Sequence, residues 1–337
     1  MPCMTENANS SLPRYLITGA NGCIGAWIVK NLVEAGNPPV IFDLDPEPRR
    51  IRMLLSPPQM STLRIVQGDV TSLEALETAV SGYRISHIIH LAALQVPACA
   101  ANPPVGGWVN VVGTLNIFEA ARRHHDQVRH ITYASSAAVF GPEEFYGSPH
   151  VSEGGSLSPS THYGVFKQCN EGNARVFYLS DGISSCGLRP WAVYGPGRDQ
   201  GITSDPTKAI KAAVLGRPYT IRFNGGLDLQ YVDDTARTFL ACSQAALPGA
   251  RVYTLRGSVV QISEFVKTLE AAFPQTLGLI RTEGKQLPIA YDLDDSALVA
   301  DMGEPPRTRL EAGVRATWAV FEGLRAAGRL EDDDLNV

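Results

Sequence analysis

"RYLITGANGCIG", residues 14–25, decides the fold. Arg14 to Gly19 is a short apolar run that ends in glycine, which predicts a buried strand. The run that follows, "AWIVKNLVEAG" (26–36), has apolar residues at helical spacing and closes on Gly36. Between strand and helix stand Gly19, Gly22 and Gly25. Glycine spacing alone is common; glycines placed after a strand and before a helix predict a dinucleotide loop. They permit a tight turn and let a pyrophosphate approach the helix N-terminus, where free N–H groups and the helix dipole favour negative charge.

Outward from this loop the chain alternates. Further strands are predicted at "PVIFDLD" (39–45), "LRIVQGDV" (63–70), "ISHIIHLAA" (85–93), "HITYASS" (130–136) and "SSCGLRP" (184–190). Helices are predicted between them, among them a long one over 108–125 and one carrying "THYGVFKQCNE" (161–171). Strands alternating with helices mean a doubly wound parallel sheet of Rossmann type, covered on both faces.

After Pro190 the rhythm changes. "GPGRDQGITSDP" reads as a flexible loop, "PTKAIKAAVLG" as helix, "YTIRFNGG" and "RVYTLRG" as short strands, "SEFVKTLEAAF" as a Ser-capped helix, and "RLEAGVRATWAVFEGLRAAG" as the last helix. The expected organisation is a disordered tail over 1–13, a dinucleotide-binding domain over 14–190, and a smaller α+β substrate lobe over 191–330. About 228–250 is expected to return to the first domain, and a frayed acidic tail to occupy 331–337. No Pro/Gly linker divides the two parts, so direct packing is expected.

Composition bounds the function. Of 337 residues, 44% are hydrophobic and 19% charged, and the net charge is −5. Together with the lack of any large Lys/Arg cluster, this argues against a nucleic-acid partner; "RRIR" (49–52) and "ARRHH" (121–125) read as solvated helix faces. The six cysteines, at 3, 23, 99, 169, 186 and 242, have no C-x-x-C spacing, so no metal site is expected and a reducing cytoplasm is. The opening "MPCMTENANSSLPR" has no apolar core of a signal peptide. No apolar run approaches the roughly 20 residues that span a bilayer, so no membrane partner is expected.

Asp43, at the end of the second strand, suits the free hydroxyls of an adenosine ribose and opposes a 2′-phosphate, which favours NAD. Arg49 and Arg50, close by in sequence, are the residues that would instead admit NADP. Asp69 follows the third strand and faces either the adenine amine or its own turn. Tyr163 and Lys167 are four positions apart and share a helix face; taken alone, that pairing is weak evidence of chemistry.

The stretches "ITGANGCIG", "DLD", "GDV", "HLAA", "VNVVGTLNIFEAA", "YASSAAVFG", "YGVFK", "LRPWAVYGPG" and "QYVDDTA" occur in order over about residues 14–330. In this the chain resembles the extended short-chain dehydrogenase/reductases, the NAD-dependent epimerase/dehydratase group. The resemblance implies that Tyr163 and Lys167 are the catalytic pair and that Ser136 completes the triad, with Ser135 as the alternative. A phenol of pKa about 10 is a poor base, and the Lys167 ammonium and a nicotinamide cation are expected to lower it. The resemblance also implies cofactor contacts from Asn21, Cys23 and Ile24 in the glycine loop, from Val70, from Leu91, Ala92 and Ala93, and from Pro190. Asn110 is implied in a supporting hydrogen bond, and Gln95, Ser136, Ala137, Tyr163 and Arg198 are expected around the substrate.

Two departures bear on substrate. Ala137 and Ala138 stand where 4,6-dehydratases carry an Asp-Glu pair, so dehydration by that route is not expected. Ala192 and Leu227 fall where nucleotide-sugar epimerases keep an Asn and an Arg on the diphosphate. The expected substrate is therefore a small polyhydroxy compound: a sugar, sugar acid or polyol. A nucleotide-sugar epimerase and a non-catalytic NAD(P)-binding regulator are the alternatives, and the apolar stripe of "VVGTLNIFEAA" suggests a homodimer.

Overall fold

The computed structural model describes residues 12–148 and 150–336. The expected tail over 1–13 lies outside the described residues except for its last two positions. Seven parallel strands form the central sheet: β1 (Tyr15–Thr18), β2 (Val40–Asp43), β3 (Arg64–Gln67), β4 (His87–His90), β5 (His130–Ala134), β6 (Ser185–Arg189) and β7 (Ala250–Thr254). Their order is β7-β6-β5-β4-β1-β2-β3. The order reverses between β1 and β4, so a crevice opens at the carboxyl ends of these two strands.

Central strands of such a sheet are covered on both faces and must bury every side chain. All four residues of β1 and all four of β4 are buried. β4 is "HIIH", and its His90 is accommodated by hydrogen bonds to Thr18 Oγ1 (2.7 Å) and Thr114 Oγ1 (3.1 Å). Helices α2 (Leu73–Gly82), α3 (Gly113–Arg123) and α4 (His162–Asp181) lie on one face, over Leu16, Ile88 and Ile131. α4 starts at Thr161, whose Oγ1 accepts the Gly164 N–H (3.1 Å), and stops at Gly182 in the left-handed region (φ 70°).

The other face carries α1 (Cys23–Glu34) and α6 (Val232–Ala245), with α5 (Asp205–Val214), α7 (Ile262–Ala272) and α8 (Leu310–Ala326) further out. Its core, from Ile17 and Ile28 through Phe239 to Trp318 and Phe321, runs unbroken into the C-terminal part. One continuous core explains the missing linker. Within that part, strands Ala192–Tyr194, Gly226–Tyr231 and Ser258–Gln261 form a separate three-stranded sheet.

Four local expectations are corrected. "RVYTLRG" does not belong to the small lobe; it supplies β7, the edge of the main sheet beside β6. The helix expected over 108–125 is a wide π-helical turn (Trp108–Val112) followed by α3. α7 begins after Gln261 with no side-chain cap, so Ser263 lies inside it. The acidic end is docked: Asp333–Asn336 form a 3₁₀ turn, and Asp334 pairs with the buried Lys211 at 2.7 Å.

Candidate active site

The glycine loop closes against the end of β4. Gly19 has φ 68°, and a Cβ there would lie 2.5 Å from the Ala92 backbone nitrogen and 2.8 Å from the Leu91 carbonyl carbon. A Cβ on Gly25 would lie 2.6 Å from the Gly19 oxygen. α1 then begins with no side-chain cap and no acidic residue in its first turn. That leaves its first N–H groups, at Cys23 and Ile24, for an anion. The cradle and the uncapped helix fit a dinucleotide pyrophosphate.

Asp43 braces this loop. Its Oδ2 accepts the Asn21 N–H (2.9 Å) and its Oδ1 the Asp45 N–H (3.2 Å). Burial raises the carboxyl pKa, while the Asn21 and Asp45 amides pull it down. Arg49 is exposed. Arg50 does reach the loop, donating to the Asn21 carbonyl (2.8 Å), but Asp199 holds it through a two-pronged ion pair. A cation already neutralised offers little to a 2′-phosphate, which accords with NAD.

Asp69 is exposed, and its Oδ1 accepts the Thr71 N–H (2.8 Å), which makes it the former of its own turn. Val70 is buried and gives its carbonyl to Asn116 (3.0 Å). Asn110, in the π-helical turn, accepts the Leu94 N–H (2.7 Å) and donates to the Leu94 carbonyl (2.9 Å). It thereby fixes the segment Leu91–Gln95 that follows β4. Pro190 accepts the Ala137 N–H at 3.0 Å. Ala137 is also buried in the core and gives its carbonyl to Phe140, so it has no free group to offer a substrate, contrary to expectation.

The two serines have separate jobs. Ser135 is buried and donates to Glu171, which Arg189 grips from two sides (2.8 and 2.7 Å). Ser136 is half-buried; its Oγ accepts the Ala138 N–H (3.1 Å) and lies near enough to the Tyr163 phenol to pull its pKa down. Ser136, not Ser135, is therefore the serine that faces Tyr163. Lys167 lies 5.5 Å from the centre of the Tyr163 ring and donates to the Ala134 carbonyl at 2.7 Å. Burial pulls its pKa down to about 8, with Cys99 and Glu171 acting the other way.

The Tyr163 pKa is raised, not lowered as the sequence suggests. Burial is the main cause, opposed by the Ser136 hydroxyl and the Arg198 guanidinium. The Lys167 ammonium is turned toward the Ala134 carbonyl. Arg198 is thus close enough to the phenol for its charge to be felt. Its Nη2 donates to Thr203 Oγ1 (2.8 Å). Gln95 caps the short helix Val96–Ala101, and its amide oxygen faces Gly201 in the Arg198 loop.

Sequence reasoning missed Glu171, Arg189, Asp199 and Cys99 as neighbours of the site. Glu171 had a signal: it lies one helical turn beyond Lys167 and two beyond Tyr163. The others sit close in sequence to Gln95, Pro190 and Arg198, but nothing in the spacing says which charge each would meet.

Fold and site define a nicotinamide-dependent enzyme of the extended short-chain dehydrogenase/reductase type, with NAD as cofactor. The chain belongs to the NAD dependent epimerase/dehydratase family, whose pattern matches residues 15–255. It is 26% identical to a UDP-glucose 4-epimerase of Mycolicibacterium smegmatis, across 91% of this chain and 98% of that one. Among solved structures it is similar to a partial-consensus L-threonine 3-dehydrogenase (TM-score 0.82, 25% identity, 92% of this chain and 100% of that one). It is also similar to MoeE5 in complex with UDP-glucose and NAD (TM-score 0.76, 27% identity, 93% and 99%).

Proposed function

We propose that the protein oxidises a secondary alcohol of a small polyhydroxy substrate, a sugar, sugar acid or polyol, with Ser136, Tyr163 and Lys167 as the catalytic residues. NAD, when bound, accepts the hydride from the carbinol carbon. The chain handles the proton. Tyr163 takes it from the substrate hydroxyl, Ser136 holds the same oxygen, and Lys167 favours phenolate once its ammonium turns from the Ala134 carbonyl toward the phenol. The products are a ketone, NADH and one proton.

One observation carries the choice of substrate. Ala192 and Leu227 are both 0% exposed, inside the core of the lobe. A diphosphate needs charge-assisted donors, and neither side chain can supply one or reach a ligand. The likeness to an L-threonine 3-dehydrogenase supports a substrate without a nucleotide. The second reading, nucleotide-sugar epimerisation, has the sequence relatives in its favour. A non-catalytic NAD-binding role is disfavoured because Tyr163 and Lys167 are both present.

The test is NADH formation across free sugars, sugar acids, polyols and nucleotide sugars. Tyr163→Phe should lower kcat by about a hundredfold or more while NAD affinity stays put. Calorimetry of UDP, GDP and dTDP against the NAD-saturated protein should show no binding. Micromolar affinity for any of them would replace this reading with the epimerase one.

The same proposal extends to a cytoplasmic homodimer. The stripe of "VVGTLNIFEAA" is spent on the chain's own core, where Ile117, Phe118, Ala120 and Ala121 are fully buried, contrary to expectation. Val165, Val176 and Leu179 instead form an exposed apolar stripe on α4 (46, 54 and 74% exposed), which α4 of a second copy would cover. Sedimentation should give the mass of two chains, and Leu179→Glu should shift it to one.

A further inference from the structure

The loop that leaves strand Ala192–Tyr194 is built to hold Arg198 still. The sequence suggests a flexible segment because it is rich in Gly and polar residues; in the structure Gly195, Gly197 and Gly201 all have positive φ (128°, 93° and 82°). Yet its backbone is tied down along its length. Trp27 Nε1 donates to the Pro196 carbonyl (2.9 Å), the Gly195 N–H donates to Thr207 Oγ1 (3.0 Å), and the Arg198 N–H donates to the Gly195 carbonyl (3.1 Å).

Two guanidiniums and one carboxylate meet here. Asp199 is turned to Arg50. Arg198, its neighbour in sequence, makes no ion pair among the described residues, and its Nε is buried with no hydrogen-bond partner. Among the described residues its fork hydrogen-bonds the Thr203 hydroxyl. A buried donor on a cation is costly to leave unpaired. The Gln95 amide flanks the same spot: a Cβ on Gly201 would lie 2.3 Å from Gln95 Oε1 and 3.6 Å from Arg198 Nη2. The charge of Arg198 acts both on the Tyr163 phenol and on the Cys23 thiol of the glycine loop. Arg198 is therefore within electrostatic reach of both Tyr163 and the cofactor loop.

We propose that Arg198, with Gln95 beside it, is the anion-recognising end of the substrate pocket and takes the carboxylate of a polyhydroxy acid. The inference rests on the function proposed above and narrows its substrate to the acids. A planar guanidinium fork matches a carboxylate in shape and carries the single charge that a carboxylate balances. A phosphate dianion or a diphosphate would need a second free cation. Arg50 is neutralised by Asp199, and Ala192 and Leu227 are apolar, so none of these places supplies it.

The experiment uses the NAD-saturated protein and two sets of probes: gluconate, galactonate, glucuronate and galacturonate, and the neutral glucitol, galactitol, glucose and galactose. Binding is read by calorimetry and turnover by NADH formation, for wild type, Arg198→Gln and Arg198→Lys. In the wild type at least one acid should bind more than about tenfold tighter than its neutral counterpart. Arg198→Gln should erase that preference, raising KM for the acid by on the order of a hundredfold, with the Kd for NAD within about threefold of wild type. Arg198→Lys should recover part of it, since charge returns without the fork. The free-enzyme pKa seen in kcat/KM should also rise in Arg198→Gln, because a cation near the phenol is gone.

Turnover of neutral compounds as good as that of the acids would overturn the carboxylate assignment and leave the proposed function standing. So would an Arg198→Gln variant that loses NAD affinity but keeps its affinity for the acid, since the guanidinium would then serve the cofactor pyrophosphate. If none of the eight compounds binds or is oxidised, the proposed function falls and the carboxylate site with it.

Discussion

The two ends of the cofactor crevice are built on opposite plans. At the β1–α1 loop the contacts are backbone on backbone, and glycine is required because any side chain would collide. At the Gly195–Gly201 loop the backbone is pinned by side chains from α1 and α5, and the chemistry lies in two arginines, one neutralised by Asp199 and one not. The first plan leaves its mark in local sequence. The second depends on which distant residue each charge meets, which spacing does not encode.

The largest test of this contrast is a pair of glycine substitutions. Gly19 and Gly182 both have positive φ, 68° and 70°. A Cβ on Gly19 would meet Ala92 backbone at 2.5 Å, while one on Gly182, in the left-handed region at the end of α4, would meet nothing within 4 Å. Gly182→Ala should therefore cost only the left-handed strain, about 1–2 kcal/mol, with NAD affinity unchanged. Gly19→Ala adds a clash that only movement of the loop or of the post-β4 segment relieves. Its NAD affinity, read by calorimetry, should fall by more than about a hundredfold. Equal losses in both variants would mean that strain, not close approach, explains the glycine at 19.

Acid should separate the two parts next. His87, His90 and His130 on β4 and β5 are buried neutral, their pKa values lowered by burial from 6.5 to about 4, 3 and 4. Between about pH 6.5 and 4 the unfolded chain binds more protons at these sites, so the sheet loses stability as pH falls. Asp228, in the small three-stranded sheet, is shifted the other way, from 3.8 to about 6 by burial. Between about pH 6 and 3.8 the folded chain binds more protons there, so this group adds stability as pH falls. Hydrogen exchange followed from pH 7 to 4 should show β4 and β5 opening before strand Gly226–Tyr231. His90→Asn should flatten the acid loss; a variant with the wild-type pH profile would show that these histidines do not govern it.

The contrast also explains what the sequence could disclose. Six of the seven sheet strands were legible because each is a short apolar run set between turn signals and helical periods. The seventh was not. "RVYTLRG" pairs with β6 across more than sixty residues of intervening lobe, and an edge strand alternating Arg251, Val252 and Tyr253 reads the same in either sheet. Helical spacing and family order pair Tyr163 with Lys167, and family order alone points to Ser136 before Ser135. What the sequence could not show is the reason, Glu171 and Arg189 claiming the Ser135 hydroxyl. The raised phenol pKa was not legible either: it depends on how deeply the hydroxyl is buried and on the Lys167 ammonium turning to Ala134, neither of which spacing reveals.

The smallest effect concerns the acidic end, which composition alone reads as frayed. Two aspartates there differ in what they meet. Asp334 pairs with Lys211, whose side chain is 8% exposed and which also donates to the Glu331 carbonyl at 3.2 Å. Asp332 pairs with Arg217 at 2.6 Å, but those side chains are 39% and 51% exposed. Water already solvates the second pair and salt screens it, so Asp332→Asn should change stability by less than about 0.5 kcal/mol. Asp334→Asn leaves an ammonium buried against α8 without its counter-charge and should cost about 1–3 kcal/mol in urea unfolding. Raising salt should narrow the Asp332 effect further and leave that of Asp334 nearly unchanged, because buried pairs are screened less. If both substitutions cost the same, or neither costs anything measurable, the 3₁₀ turn at Asp333–Asn336 does not anchor the chain end in solution, and the composition-based expectation of a frayed tail is restored.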